Sequence, residues 1–153
     1  MESWRNAWRQ GVAPLLSVAH LEALRTALVE DDPRLLQKAT TKPPPLQCVQ
    51  DWPVEAACLL GYCAVAELGG FGNDAVGVAN PNAATVAEVE EFFARMCHAI
   101  DEALGEPAAC RWLLNHYDDT PREEMRREYL GEVLRSLAEK LHEQNEVSRC
   151  KIS

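Results

Sequence analysis

Positive charge is scarce in this sequence: 15 Lys and Arg stand against 24 Asp and Glu over 153 residues, a net charge of −9. The shortage is uneven, with 6 basic and 8 acidic groups over residues 1–68, 2 and 9 over 69–120, and 7 and 7 over 121–153. Binding DNA or RNA displaces counterions from phosphates and needs a basic face. The arginines of the last third are interleaved with glutamates, the pattern of a solvated helix face. Nucleic acid is therefore not expected as a partner. Long apolar runs are missing too. The longest, Ala56–Ala66, has 11 residues, and at ~1.5 Å per residue it covers about half of a ~30 Å bilayer core. No membrane association is expected.

Other absences narrow the reading further. The N-terminus, Met1-Glu2-Ser3-Trp4-Arg5, has no basic stretch leading into an apolar core, so a cytoplasmic chain with reduced thiols is expected. The six cysteines (48, 58, 63, 97, 110 and 150) contain no CxxC pair and read as small buried hydrophobes. Neither GxxxxGK[ST] nor GxGxxG occurs: Gly70-Phe71-Gly72 is followed by alanine at position 75, and no strand precedes it. GxSxG, HExxH and SxxK are absent as well. No catalytic residue and no cofactor are assigned on this basis. Valine and isoleucine are sparse and do not alternate with polar residues, which leaves no convincing strand.

What remains is helical periodicity with clear start and stop signals. Ser3 can cap a short N-terminal helix within residues 1–12 that carries Trp4, Ala7 and Trp8 and stops at Gly11. A second helix covers Pro14–Glu30, with Leu21, Leu24 and Leu28 on one side. Asp32-Pro33 reads as N-cap and first residue of a short helix to Lys38. Residues 39–51, with Pro43-Pro44-Pro45, form an extended connector. A helix from Pro53 to Leu68 then carries no charge between Glu55 and Glu67. A helix that is apolar all round is surrounded by others, so this is the expected centre, with Gly61 admitting a close neighbour. Residues 69–84 are a Gly- and Asn-rich loop.

Thr85-Val86-Ala87-Glu88 is a capping box and opens a helix with the stripe Val89, Phe93, Met96 and Ile100, ending at Gly105. Pro107 begins another helix to about Tyr117. Thr120-Pro121-Arg122-Glu123 repeats the capping signal for a last helix to about Glu143, with Tyr129, Val133, Leu137 and Leu141 inward and a polar tail at 144–153. The expectation is an all-α, single-domain bundle of about six or seven helices over residues 1–153, built around residues 53–68.

Several polar residues stand out against this frame. His142 in Glu139-Lys140-Leu141-His142 and His98 beside Glu91, Arg95 and Glu102 fall on solvated faces. His116 sits at a helix C-terminus just before Asp118 and Asp119, where its protonated form suits the helix dipole. Together with Asp118 and Cys110 it is the best available metal-ligand set, although zinc requires three or four ligands. Glu55 opens the central helix and Arg126 projects with the Met125–Tyr129–Val133 stripe. Both are expected to be partly buried, with Arg126 paired to Glu55 or Asp118. Trp4 and Trp8, spaced i, i+4, and Trp52 beside the proline connector either clamp the terminal helix and the connector onto the bundle or form an exposed aromatic patch that docks a partner, because tryptophan is enriched at interface hot spots; they are the candidate interaction residues. The function this predicts is a non-enzymatic helical protein–protein interaction module that binds a protein partner or a second copy of itself. The alternative is a metal- or small-ligand-binding helical protein, or an enzyme, using a Cys/His/Asp cluster.

Overall fold

Two capping boxes mark where helices begin. At Thr85 the hydroxyl accepts the Glu88 N–H (3.2 Å) and the Glu88 carboxylate accepts the Thr85 N–H (3.1 Å), as predicted. At Ser17 the same exchange uses an imidazole: Ser17 Oγ accepts the His20 N–H (3.2 Å) and His20 Nδ1 accepts the Ser17 N–H (3.1 Å). The structure is a computed structural model that describes residues 2–41, 52–72 and 79–152, with side chains as far as Arg149. It contains α1 (Ser3–Asn6), α2 (Val18–Glu30), α3 (Leu59–Leu68), α4 (Val86–Leu104), α5 (Ala109–Asp119) and α6 (Arg122–Ile152). Among the described residues extended pairing is limited to isolated bridges. The fold is therefore the all-α single-domain bundle expected, and no described helix is long and apolar enough to cross a membrane. The proline triplet and most of the 39–51 connector lie outside the described residues, as does the middle of the 69–84 loop.

The centre is where the apolar run placed it. Every residue from Ala56 to Val65 is buried, with α3 held between α2 and α4. A Cβ on Gly61 would lie 3.0 Å from both Ala57 Cβ and Val89 Cγ1, so glycine is what lets α4 approach α3. On α4, Val89, Met96 and Ile100 are buried and Phe93 is half-buried, and the helix stops at Gly105. On α6, Met125, Tyr129 and Val133 are fully buried and the helix lies along α2.

Several boundaries differ from expectation. The central helix starts at Leu59, not Pro53. Residues 53–58 are extended, with Val54 N–H on Ala84 O (2.8 Å), Ala57 N–H on Arg34 O (2.8 Å) and Cys58 N–H on Thr40 O (2.8 Å). A short apolar run has no period of its own that separates a buried helix from a buried extended segment. The helix expected over 32–38 is a turn. Asp32 Oδ1 accepts the Arg34 N–H (2.9 Å), and Leu35 then bridges Ala57. Gly11 does not end the first helix. The helical path runs on from α1 through a wider π-helical stretch, Ala7–Val12, and a tight 3₁₀ turn, Ala13–Leu15. Gly11 lies inside it, where a Cβ would sit 2.9 Å from Ile100 Cγ2, so it marks the crossing over α4. Pro14 falls in the 3₁₀ turn and α2 begins only after Ser17. Finally, the Thr120 hydroxyl donates back to His116 O (2.6 Å) and closes α5, while α6 continues through the expected tail to Ile152.

Candidate functional site

The N-terminal tryptophans are inside the bundle. Trp8 is 0% exposed and its Nε1–H donates to Ser136 Oγ at 3.0 Å. Trp4 is buried and stacks on His116, with ring centroids 4.2 Å apart and planes within 6°. Beneath them Arg5 and Arg9 both reach Glu132 on α6, at 2.6 Å for Arg5 Nη1 and at 2.9 Å for each of two Arg9 nitrogens. The side chain of Glu132 is only 3% exposed. Burial opposes its charge, but the hydrogen bonds from Arg9 and Arg5 prevail and hold its carboxyl below the usual range. Trp4 and Trp8 thus clamp the first segment onto α5 and α6 and are not a surface patch. The i, i+4 spacing does put them on one face, and that face turns inward. Trp52 is half-buried and stays at the surface, beside a cleft of about 530 Å³ that Pro53, Asn80 and Pro81 also line.

The predicted buried polar residues separate. Arg126 is partly buried, but its principal acceptors are the last carbonyls of α2: Leu28 O at 2.8 Å and Val29 O at 2.9 Å. Its carboxylate partners are Glu123 (2.9 Å) and Asp31 (3.8 Å). A guanidinium suits this place because helix C-terminal carbonyls have no partner within the helix. Glu55 is exposed, because the segment it occupies is extended instead of helical. Asp118 is half-buried and accepts the Lys38 backbone N–H at 2.8 Å.

The proposed metal ligands do not converge. His116 faces Trp4, with Nδ1 3.0 Å from the Tyr129 hydroxyl and Nε2 3.4 Å from Glu128. Asp118, two residues on, points to the opposite side of α5. Among the described residues no group of three or more His, Cys, Asp or Glu side chains is arranged to hold a metal ion. Cys110 and Asp118 do share a cavity of about 390 Å³ between α4 and α5, and a second thiol, Cys97, lines it with them.

An open groove of about 830 Å³ lies beside the C-terminal part of α6. One wall is the start of α2, Ser17 to Ala19, and the other is the α6 stretch through Lys140, Gln144 and Val147. Leu137 is the last buried residue of α6, and from Ala138 to Arg149 only Lys140 is even half-covered. Leu134, Leu141 and Val147 are 47%, 47% and 55% exposed. The expectation that Leu141 lies inward with Leu137 is not met: Leu141 is 47% exposed and does not line the groove. A signal for this surface is present in the sequence: Leu130, Leu134, Leu137 and Leu141 recur at spacings of four, three and four, a heptad seam that runs past the core. No such signal marks Glu132, whose role depends on two arginines more than 120 positions away.

No family model, curated protein or solved structure matches this chain, so its functional reading rests on its own residues and geometry.

Proposed function

We propose that the chain is a helical protein–protein interaction module that docks through the C-terminal half of α6, and that the occupant of this surface is a second copy of the chain. One observation carries the reading: no residue from Ala138 to Arg149 is buried, in a helix that continues to Ile152. Fifteen helical residues extend about 22 Å at ~1.5 Å each. Most helical stability in proteins comes from packing an apolar face, which this stretch lacks, and the exposed Leu141 and Val147 supply apolar contacts a cover would use.

Self-pairing is favoured by symmetry and by charge. A two-fold interface uses the same patch twice, and the groove wall from Lys140 to Val147 is itself part of the projecting helix. Along that helix Glu139, Glu143 and Glu146 precede Arg149, so antiparallel pairing sets the basic end of one copy against the acidic start of the other. Residues 138–149 hold three acids and two bases. Two copies, each at −9 overall, repel least along this nearly neutral stretch.

Sedimentation equilibrium across a concentration series tests the reading. A dimer is expected, weakened in the double variant Leu141→Glu, Val147→Glu while helical content is kept. A monomer at all concentrations up to about 500 μM, far above the Kd a specific interface of even modest size gives, would overturn it.

A further inference from the structure

α4 and α5 form a hairpin across the turn at Gly105, and two of its facing positions are thiols. Cys97 on α4 and Cys110 in the first turn of α5 line the same cavity as Asp101, Arg111 and Asp118. Cys97 is half-buried, Cys110 is 4% exposed, and each thiol is the chief neighbour acting on the other's acidity. Asp101 Oδ1 accepts the Cys110 backbone N–H at 2.8 Å, which fixes the first turn of α5 against α4. Cys58 and Cys63 are sealed in the core at 3% and 0% exposure. Burial pushes the Cys58 thiol up to about 11 and raises that of Cys63 as well, so neither competes for a reagent in solution.

We infer that Cys97 and Cys110 form a dithiol site that a low-molecular-weight disulfide oxidises to an intramolecular disulfide, with Cys97 attacking first. The Cys97 thiolate attacks one sulfur of the reagent. The sulfur–sulfur bond of the reagent breaks, and its electron pair leaves on a thiolate that takes up the proton Cys97 lost. A mixed disulfide remains on Cys97. Cys110 then attacks the Cys97 sulfur, and the second reagent thiolate departs with the Cys110 proton. In sum the two protein thiols lose two electrons and two protons, and one reagent disulfide becomes two thiols.

Exposure sets the order, because only Cys97 is reachable from solution. Acidity acts the same way: the neighbouring Cys110 side chain holds the Cys97 thiol below its ordinary range, against burial and the Asp101 charge, while the Cys110 thiol is raised. Arg111 on the cavity wall favours a thiolate, and Asp101 and Asp118 oppose one. A disulfide needs Cα atoms within about 7 Å of each other, and the bond from the Cys110 N–H to Asp101 holds the start of α5 against α4 one turn from Cys97, on the wall of the cavity both cysteines line. The product ties α4 to α5 across the Gly105 turn.

The full chain, reduced and then equilibrated with excess oxidised glutathione, is quenched in acid, alkylated and digested with trypsin. Met96–Arg111 contains both cysteines and no internal Lys or Arg, so one peptide reports the pair. The expected product is this peptide without alkyl groups and short of two hydrogens, where reduced protein gives two alkyl groups. Cys110→Ser should accumulate glutathione on Cys97, and Cys97→Ser should leave Cys110 without an adduct. A doubly alkylated wild-type peptide after oxidation would overturn the inference, as would a glutathione adduct on Cys110 in the Cys97→Ser protein. The wild-type peptide decides the matter alone if a serine variant does not fold.

Discussion

Glu132→Gln is the most informative single change to this fold. The wild-type carboxylate receives three short hydrogen bonds from two guanidinium groups, at 2.6, 2.9 and 2.9 Å, and is nearly inaccessible. Hydrogen bonds to charged groups contribute roughly 1.5–3 kcal/mol each, and breaking a buried ion pair by removing one partner costs about 3–5 kcal/mol. The amide keeps the shape but retains one acceptor oxygen, and its NH₂ faces guanidinium donors. Arg5 and Arg9 are 29% and 26% exposed, so part of their hydration is recovered. The expected loss is about 2–3 kcal/mol at neutral pH, a large share of the roughly 5–15 kcal/mol that stabilises a typical domain. Urea unfolding followed by circular dichroism measures it.

The pH dependence provides a second reading of the same interaction. The folded-state carboxyl of Glu132 is held below its ordinary 4.5, so its contribution is fully present above that value. The contribution fades as pH falls through the lower, folded-state value, because the protonated acid no longer binds two guanidinium groups as an anion. Wild type and Glu132→Gln should therefore converge in stability below pH 4.5 and differ most above it. A difference under about 0.5 kcal/mol at pH 7, the size of an ordinary surface substitution, would refute the reasoning. So would a larger difference that does not change with pH.

Trp8→Ala removes a fully buried indole and its bond to Ser136, and should cost about 3–5 kcal/mol. In thermal melts it should lower the transition without changing the association state of the protein that remains folded, which separates a clamp from a docking anchor. Arg126→Met leaves the Leu28 and Val29 carbonyls without their guanidinium donor. It should destabilise by about 1–2 kcal/mol, within the range for a lost capping interaction, and native-state hydrogen exchange should show the last turn of α2 opening more readily.

The parts of the fold that were legible in the sequence have local causes. The α4 start is written in Thr85 and Glu88, whose side chains answer each other's N–H groups three residues apart. The burial of α3 follows from the lack of any charged side chain between Glu55 and Glu67. The 3.6-residue period of Val89, Met96 and Ile100 identifies the inner face of α4 with no knowledge of its neighbours. Histidine 20 shows the limit of such rules, since it completes a capping box in the place usually held by glutamate or glutamine.

The candidate surfaces were far less legible. Tryptophan at i, i+4 announces an aromatic face, but whether that face meets solvent or His116 and Tyr129 depends on where α5 and α6 run. The apolar stripe it follows marks Arg126 as half-inside, but its acceptors are backbone carbonyls, which every residue carries and no sequence pattern singles out. Cys97 and Cys110 are 13 positions apart and share a cavity only because the Gly105 turn folds α4 against α5.

By itself, then, the sequence determined the all-α class, the buried heart of α3 and the inner face of α4, because periodicity, capping and charge exclusion act over a few residues. Only the tertiary structure decided that residues 53–58 are extended, that Trp4 and Trp8 are internal, and that α6 leaves the bundle after Leu137. Those outcomes depend on which neighbour covers a given face. Covering is a property of two segments brought together in space, and neither segment's own residues specify it.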